Sequence, residues 1–284
     1  MAKRTTAEIA HIVVNVVCFV IVVLLAALCE TIHIEPFKRG FFCDDDTIRY
    51  PYNEDTVSVG LAFALGFIIP ILCILACEWI KFTSRREEET KLHYYGRFFW
   101  TLCVEFGIFL FGGALCQLCV SIIKLTVGRL RPHFVAVCNP DFSIINCSVG
   151  YVTNFVCRGS GPQLREARLS FPSGHSSYIG YTMMFTVLYL HVKAERRHCG
   201  LVKHVIQFGA AMTAVYVCVS RVADNKHHYT DVLSGLFIGA LFGALVKIIL
   251  ATHWKSGSLS KTSSRDVLPL RYKSSETVHT INND

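Results

Sequence analysis

Three short polar stretches carry the residue types that chemistry needs, and each adjoins a long apolar segment. They span residues 124–132 (KLTVGRLRP), 171–177 (FPSGHSS) and 220–231 (SRVADNKHHYTD). Together they hold fixed cations, histidines and a carboxylate, which are the groups that bind an anion and move protons beside it. The three stretches therefore indicate a site for an anionic ligand, with a phosphate group as the candidate.

The first stretch places three cations next to the end of an apolar run. A cation that stays in hydrocarbon costs about 2.5 to 3.5 kcal/mol even on the mildest scale, so Lys124, Arg129 and Arg131 need a partner or a route to the headgroups. For Lys124 and Arg131 we favour contact with a bound anion. For Arg129 two alternatives stay open, namely anion contact and extension of the side chain to the lipid headgroups.

The second stretch has the features of a helix start. Pro172, Ser173 and Gly174 precede the fourth apolar segment, so free backbone N–H groups and a hydroxyl converge where the helix dipole favours negative charge. His175 stands in the first turn and can exchange a proton near neutral pH. Taken alone, PSGH more often marks simple helix initiation. Beside the other two stretches it indicates a phosphate-sized anion site.

The third stretch contains a histidine and an aspartate at helical spacing. His227 and Asp231 are four positions apart, so a helix would place both on one face, where the carboxylate can hold one ring nitrogen and leave the other as a nucleophile. Arg221 adds a planar group for phosphate oxygens. The alternatives are a structural histidine and an Asp231 that caps the next helix together with Thr230. The combination of the three stretches favours chemistry.

The elements that position these stretches are predicted to cross a membrane. Of 284 residues, 52% are hydrophobic and 17% charged, with a mean hydropathy of +0.42, which is too apolar for an ordinary soluble domain. Six apolar segments predict an all-α integral membrane protein with six transmembrane helices and a site formed by outer loops and helix ends. These segments are residues 9–29, 57–80, 98–121, 176–192, 204–220 and 232–252.

Loop charges and a sequon predict one orientation. Basic residues in the N-terminus and in the second and fourth loops place these on the cytosolic side. Asn146, in the Asn-Cys-Ser sequon of the third loop, can be glycosylated only on the opposite side. Both termini are therefore predicted to be cytosolic. Residues 1–252 form the membrane domain, and residues 253–284 are predicted to be a disordered cytosolic tail.

Four of the thirteen cysteines fall in the predicted outer loops, where the environment is oxidising. One or two disulfides are expected among them, and the sequence leaves the three complete pairings open. Most of the other cysteines lie in apolar runs and are interpreted as small hydrophobic residues. The four outer cysteines are Cys43, Cys138, Cys147 and Cys157.

The three stretches resemble the signature KxxxxxxRP, PSGH and SRxxxxxHxxxD of the type 2 phosphatidic acid phosphatase superfamily, and they are most similar to its lipid phosphate phosphatase branch. Every defining position matches. The resemblance implies that His227 attacks phosphorus, that Asp231 orients His227 and that His175 protonates the departing alkoxide. It implies that the phosphate oxygens are held by five residues: Lys124, Arg131, Ser173, Gly174 and Arg221.

The resemblance also implies substrates and partners. Phosphatidate, lysophosphatidate, sphingosine 1-phosphate and ceramide 1-phosphate would lose phosphate through a phosphohistidine intermediate, with no metal or other cofactor because fixed cations neutralise the developing charge. The expected partners are lipid phosphates and the bilayer, with no nucleic acid, and a homo-oligomer is left open. The plasma membrane is the favoured location, with the endoplasmic reticulum and the Golgi as alternatives.

A transporter or receptor that binds lipid phosphates without turnover is the alternative function. A transporter with a proton or ion path through the spans would instead use charges inside them, such as Glu105 and Lys247. We expect Glu105 instead to bond to a neighbouring helix and Lys247 to extend to the cytosolic interface. No catalytic role is predicted for four residues that lie outside the signature: Arg129, His133, Asp224 and His228.

Overall fold

The computed structural model describes residues 6–31, 34–84, 91–194 and 199–263. These residues form mainly helices. Two short strands, β1 (Phe41–Phe42) and β2 (Tyr151–Val152), pair antiparallel with Phe41 opposite Val152. The helices are α1 (Thr6–Thr31), α2 (Val59–Ser84), α3 (Lys91–Val127), α4 (Phe134–Cys138), α5 (Pro162–Glu166), α6 (Gly174–Lys193), α7 (Val202–Ala223) and α8 (Tyr229–Ser263).

Five of the described helices, α1, α2, α3, α7 and α8, are long and apolar enough to cross a membrane. The fourth predicted segment, residues 176–192, lies in the 20-residue helix α6, which does not reach the same apolarity. The protein is therefore a multi-pass membrane protein. Five of the six predicted spans are identified by length and composition, and crossing by α6 stays a prediction.

Helix α6 lies at the centre of the bundle, where it packs against α2, α3 and α7. It contributes Phe185 to one apolar cluster and Ile179 to a second. Its hydroxyl groups bond inside the bundle, since Tyr181 donates to the carbonyl of Phe109 at 2.6 Å and Thr186 donates to the carbonyl one turn before it at 2.8 Å. These internal bonds allow a helix rich in hydroxyl groups to be buried.

Helix α8 approaches α6 along glycines. A Cβ atom at Gly235 would lie 2.5 Å from the carbonyl oxygen of Ser173, and one at Gly239 would lie 2.0 Å from that of Ser177. A larger residue at either position would force the backbones apart. The first turns of α6 are therefore held directly against α8.

Two disulfides settle the pairing that the sequence left open. Cys43 is bonded to Cys147, and Cys138 is bonded to Cys157. The first bond joins the loop of residues 34–58, called here the first loop, to the loop of residues 128–173, called here the third loop. The two loops that flank the polar stretches are thus covalently linked.

The charges inside the spans are paired. Glu105 lies 2.6 Å from the ammonium of Lys193 and 3.3 Å from that of Lys247. The expected bond from Glu105 to a neighbouring helix is confirmed. The expected extension of Lys247 to the interface is wrong, because its side chain is buried against this carboxylate.

The last helix continues beyond the predicted membrane domain. The main compact unit of the chain ends at Lys247, and a second unit begins at Ile248. Helix α8 runs on to Ser263, so the predicted tail, residues 253–284, begins within this helix. Residues 264–284 lie outside the described residues.

Candidate active site

Backbone hydrogen bonds join the three polar stretches to one another. The N–H of Ser170, next to the second stretch, donates to the carbonyl of Arg129 in the first at 3.0 Å. The N–H of Ser173 donates to the carbonyl of Asp231 in the third, also at 3.0 Å. The three stretches therefore meet at one place, as predicted from the sequence, although they are far apart along the chain.

His227 is buried with a defined tautomer. Its Nδ1 lies 2.7 Å from the carbonyl oxygen of Ser170. Because a carbonyl only accepts hydrogen bonds, Nδ1 carries the proton and Nε2 carries the lone pair of the neutral ring. Burial, followed by the charges of Arg131 and Lys124, lowers the pKa of His227 well below its usual value. The ring is therefore neutral at physiological pH, which is the form that can act as a nucleophile.

Asp231 lies beside His227 but outside hydrogen-bond distance of its ring, and its expected role in orienting this ring stays a prediction. Its carboxylate lies 4.0 Å from Nδ1 of His227. It accepts instead from the hydroxyl of Ser170 at 2.6 Å, from Arg129 at 2.6 Å and from the backbone N–H of His228 at 3.1 Å. The Nδ1–H of His227 donates to the backbone carbonyl of Ser170, and Asp231 accepts from the hydroxyl of the same serine.

Arg129 is the residue that the sequence left undecided. Its Nη1 lies 2.6 Å from Asp231 and 2.7 Å from the hydroxyl of Thr230. The side chain of Asp231 is fully buried, whereas that of Arg129 is 32% exposed. The structure adds a third contact to the two alternatives, namely a pair with a buried carboxylate. It neutralises a carboxylate 102 positions away, and no local spacing could have indicated that pair.

His175 follows the N-cap of α6. The hydroxyl of Ser173 caps the helix by accepting from the N–H of Ser176 at 3.4 Å. Nε2 of His175 is buried and has no hydrogen-bond partner among the described residues. Burial, followed by the charges of Arg221 and Lys124, lowers the pKa of His175 to about 4. A buried ring nitrogen without a partner, surrounded by cations, fits a site that receives an anionic ligand.

The chain is similar to proteins of one known family. Residues 105–255 match the PAP2 superfamily. Rat phospholipid phosphatase 1 is 39% identical over 265 residues, which cover 91% of each chain. The chain belongs to the phospholipid phosphatases of the PAP2 superfamily. Rat phospholipid phosphatase 2 is 40% identical over 86% of this chain and 87% of its own, and human phospholipid phosphatase 2 is 38% identical over 86% and 84%.

One solved structure is also similar to this chain. It is the transmembrane PAP2-type phosphatidylglycerolphosphate phosphatase from Bacillus subtilis, with 20% identity and a TM-score of 0.38. The alignment covers 84% of this chain and 96% of the bacterial one. At that level of likeness it does not define how the helices are arranged here.

Two cations of the phospholipid phosphatase signature lie beside the start of α6. Lys124, in the last turn of α3, places its Nζ 2.9 Å from where a Cβ of Gly174 would be, so only glycine leaves this space. Arg131 donates through Nη2 to Glu166 at 2.8 Å. Its Nε is buried without a partner among the described residues. The charges of both cations lower the pKa of His227.

Arg221, the third cation of the signature, is held by carboxylates. Its side chain is 1% exposed, with Nη1 at 2.7 Å from Asp55 and Nη2 at 2.8 Å from Asp224. Asp224, which the sequence left without a role, therefore positions Arg221. Asp55 belongs to the first loop, and no motif in the sequence indicated that it reaches the site.

The other two histidines of this region are occupied by backbone carbonyls. His228 places Nε2 at 3.1 Å from the carbonyl of Leu130, and His133 places Nδ1 at 2.8 Å from that of Asn225. Each of these rings therefore has one nitrogen bonded to the backbone, and the absence of a catalytic role for both stays a prediction. Asn146, the predicted glycosylation residue, is exposed in a turn, away from these contacts, where its Oδ1 accepts from Ser148.

Proposed function

We propose that this protein is an integral membrane phosphohydrolase that removes the phosphate group from lipid phosphate monoesters. The observation that carries the proposal is the tautomer of His227, because its bond to Ser170 leaves the Nε2 lone pair beside the cations of Arg131 and Lys124. Family membership and the names of the relatives support a phosphatase acting on phospholipids.

The proposed reaction has two steps. First, Nε2 of His227 attacks phosphorus, the bond from phosphorus to the lipid oxygen breaks, and His175 gives that oxygen its proton. Second, water attacks the phosphohistidine, His175 takes a proton from that water, and inorganic phosphate leaves while His227 regains its lone pair. Nδ1 keeps its proton throughout and donates it in a hydrogen bond to the Ser170 carbonyl, which stabilises the positive ring of the intermediate.

His175 is neutral before a phosphate group binds, because burial lowers its pKa to about 4. A phosphate group brings negative charge close to this ring and raises its pKa, so the ring takes up a proton when the substrate binds and can then act as the acid. Binding and protonation are therefore coupled in this proposal. The leaving alkoxide is a strong base, and a proton donor distinct from the nucleophile lowers the barrier to its departure.

Metal independence is part of the proposal. Lys124, Arg131 and Arg221 supply three fixed positive charges near the two histidines. Preorganised cations of this kind can neutralise the charge that develops on a phosphoryl group. Ser173 and the N–H of Gly174 at the start of α6 would add hydrogen bonds to the phosphate oxygens.

The proposed substrates are phosphatidate, lysophosphatidate, sphingosine 1-phosphate and ceramide 1-phosphate. The site lies where α3 and α7 end and where α6 and α8 begin, so a phosphate can enter it while the acyl chain remains between lipids. We place the site on the outer or luminal side, with six spans, cytosolic termini and the plasma membrane as the favoured location. Two disulfides in the adjoining loops and the sequon at Asn146 support that side.

Phosphate release by the purified full-length protein tests the proposal. Lysophosphatidate in detergent micelles should yield inorganic phosphate at an undiminished rate in the presence of EDTA. His227→Ala should lower kcat by at least about 1000-fold, whereas His204→Ala, at an exposed histidine of α7, should leave it unchanged. Binding of lysophosphatidate without release of phosphate would instead identify a transporter or receptor.

A further inference from the structure

A cavity of about 340 Å³ lies between α1, α2, α3 and α6. Its walls are almost entirely apolar, and small residues leave the space open, namely Ala26 and Ala27 of α1 and Gly113 and Ala114 of α3. Sites for organic ligands have volumes of about 300 to 1,000 Å³. The cavity is therefore large enough for part of an apolar ligand, and the proposed chemistry makes no use of it.

The hydroxyl groups that line this cavity are bonded to the backbone. Tyr178 donates to the carbonyl of Phe63 at 3.2 Å, and Tyr181 donates to that of Phe109 at 2.6 Å. Thr182 donates to the carbonyl one turn before it at 3.2 Å. Because these donors are satisfied within the bundle, a ligand in the cavity meets hydrocarbon and aromatic rings. The cavity therefore suits a hydrocarbon chain and not a polar molecule.

The cavity follows two helices that also carry residues of the candidate active site. On α6, Tyr178 lies one turn after His175, and on α3, Gln117 lies two turns before Lys124. Residues at these spacings lie on one face of a helix. The two helices meet where Nζ of Lys124 approaches Gly174. The cavity therefore begins one to two turns from the residues that are proposed to hold phosphate.

The depth of the cavity fits a chain that hangs from a bound phosphate. On α1 the cavity is lined between Val23 and Ala27, one to two turns before the helix ends at Thr31. On α2 its lining residues, Phe63 and Phe67, lie at the same distance after the helix start. At about 1.5 Å per residue, this is about 6 to 12 Å from the helix ends on the side of the site. The first carbons of an acyl chain would lie at this level.

The cavity can be entered from the lipid. Two of its lining residues, Phe67 and Leu110, are 45% and 42% exposed on the outside of the bundle. Helix α1 forms one wall and packs against α3, where the rings of Phe19 and Phe111 lie 6.4 Å apart. A chain can therefore pass from the bilayer into the cavity without crossing water.

We propose that this cavity binds the acyl chain of the lipid phosphate, in the part next to the headgroup, while the rest of the chain remains between lipids. The inference rests on the proposed function, since the chain belongs to the substrate of the same site. Hydrocarbon gains little by moving from lipid into an apolar cavity. The bound chain therefore serves to orient the phosphate relative to His175 and Lys124, which lie on the same two helices.

Variants that fill the cavity test this role in the purified full-length protein in micelles. Ala114→Phe in α3 and Ala27→Phe in α1 each place a ring in the cavity, from different walls. Each should lower kcat/KM for long-chain lysophosphatidate about 10- to 100-fold, because the chain is excluded and the phosphate is misplaced. Inhibition by glycerol 3-phosphate, a monoester without a chain, should be unchanged. Ala64→Phe, at an exposed position of α2 outside the cavity, is the matched control and should retain full activity.

A photoreactive substrate locates the chain without turnover. Lysophosphatidate with a diazirine in the chain, close to the ester, should label residues of α1 and α3 at the cavity when it is bound to the His227→Ala variant. An excess of unlabelled lysophosphatidate should suppress this labelling. Labelling that the excess does not reduce would show that the cavity holds only bulk lipid or detergent, which overturns the inference.

The outcomes separate the two proposals. Full activity of both filled variants beside an active wild type overturns the chain site and leaves the proposed function intact. Weaker inhibition by glycerol 3-phosphate in both variants also overturns it, because the substitutions would then disturb the phosphate site itself. Ala27 is exposed, so its variant decides the matter even where Ala114→Phe does not fold. A wild type that releases no phosphate overturns the proposed function, and the labelling then still reports whether the chain lies in the cavity.

Discussion

At the scale of single residues, the orientation of His227 depends on a backbone carbonyl. The carbonyl of Ser170 cannot ionise, so the Nδ1 proton is held over the whole physiological pH range. The hydroxyl of the same serine donates to Asp231, and Arg129 pairs with this carboxylate. The carbonyl of Ser170 therefore contacts the ring of His227, whereas the charged pair of Asp231 and Arg129 is joined to the side chain of Ser170.

Substitution of Arg129 tests this division. Arg129→Gln leaves Asp231 as a buried carboxylate without its cation, so the free energy of unfolding should fall by about 3 kcal/mol, the low end for a broken buried pair because Arg129 is partly exposed. We expect kcat to fall about 10- to 100-fold as Ser170 and His227 shift, with KM nearly unchanged. Kinetics and thermal unfolding in detergent measure both effects.

The double variant Arg129→Gln/Asp231→Asn is the matched control. It removes the uncompensated charge, so the Tm should recover in part while kcat stays low. A raised KM with an unchanged Tm in Arg129→Gln would show instead that Arg129 contacts the substrate or the headgroups.

At the scale of elements, the site depends on the contact between α6 and α8. Ser173 at the start of α6 bonds to the carbonyl of Asp231 in the first turn of α8. The glycines at 235 and 239 permit the close approach of the two helices that this bond requires. Histidines from two distant parts of the chain are therefore brought together by backbone packing.

Gly239→Ala should separate the two helices. The new Cβ would lie 2.0 Å from the carbonyl oxygen of Ser177, and such overpacking costs about 1 to 3 kcal/mol. Phosphate release should fall at least tenfold. Gly209→Ala in α7 is the matched change, since its Cβ would meet no atom within 4 Å, and it should retain full activity. Equal activity of the two variants would argue against the helix contact as the element that aligns the site.

At the scale of the whole molecule, folding buries neutral histidines among cations. The pKa values of His133 and His175 fall to about 4, and that of His227 is also lowered well below its usual value, chiefly through burial. An unfolded histidine titrates near pH 6.5. Between about pH 6.5 and 4 the unfolded chain therefore binds more protons than the folded one, and stability falls as the pH is lowered through this window.

Thermal unfolding of the purified protein across this window measures the effect. We expect the Tm to decrease by at least about 5 °C from pH 6.5 to pH 4.5. His133→Asn should reduce the decrease, whereas His204→Asn, at an exposed position, should not. A Tm that stays constant over the window would show that the three rings are not buried as neutral groups.

The sequence by itself determined the apolar spans, the three polar stretches and the family that they resemble. These features are local, because residue type and spacing along a helix or at its end already express them. Five of the predicted spans appear as apolar helices. Helix α6 is less apolar because it carries several hydroxyl groups, and contacts within the bundle satisfy these groups.

Only the tertiary structure decided which groups face each other. The bond from His227 to Ser170, the pair of Arg129 with Asp231 and the carboxylates on Arg221 join residues between 3 and 166 positions apart. No periodicity relates most of these partners, since they meet only when helices and loops pack. Chain spacing predicts what a residue can do, but electrostatic and hydrogen-bond partners depend on distances in space, which packing alone sets.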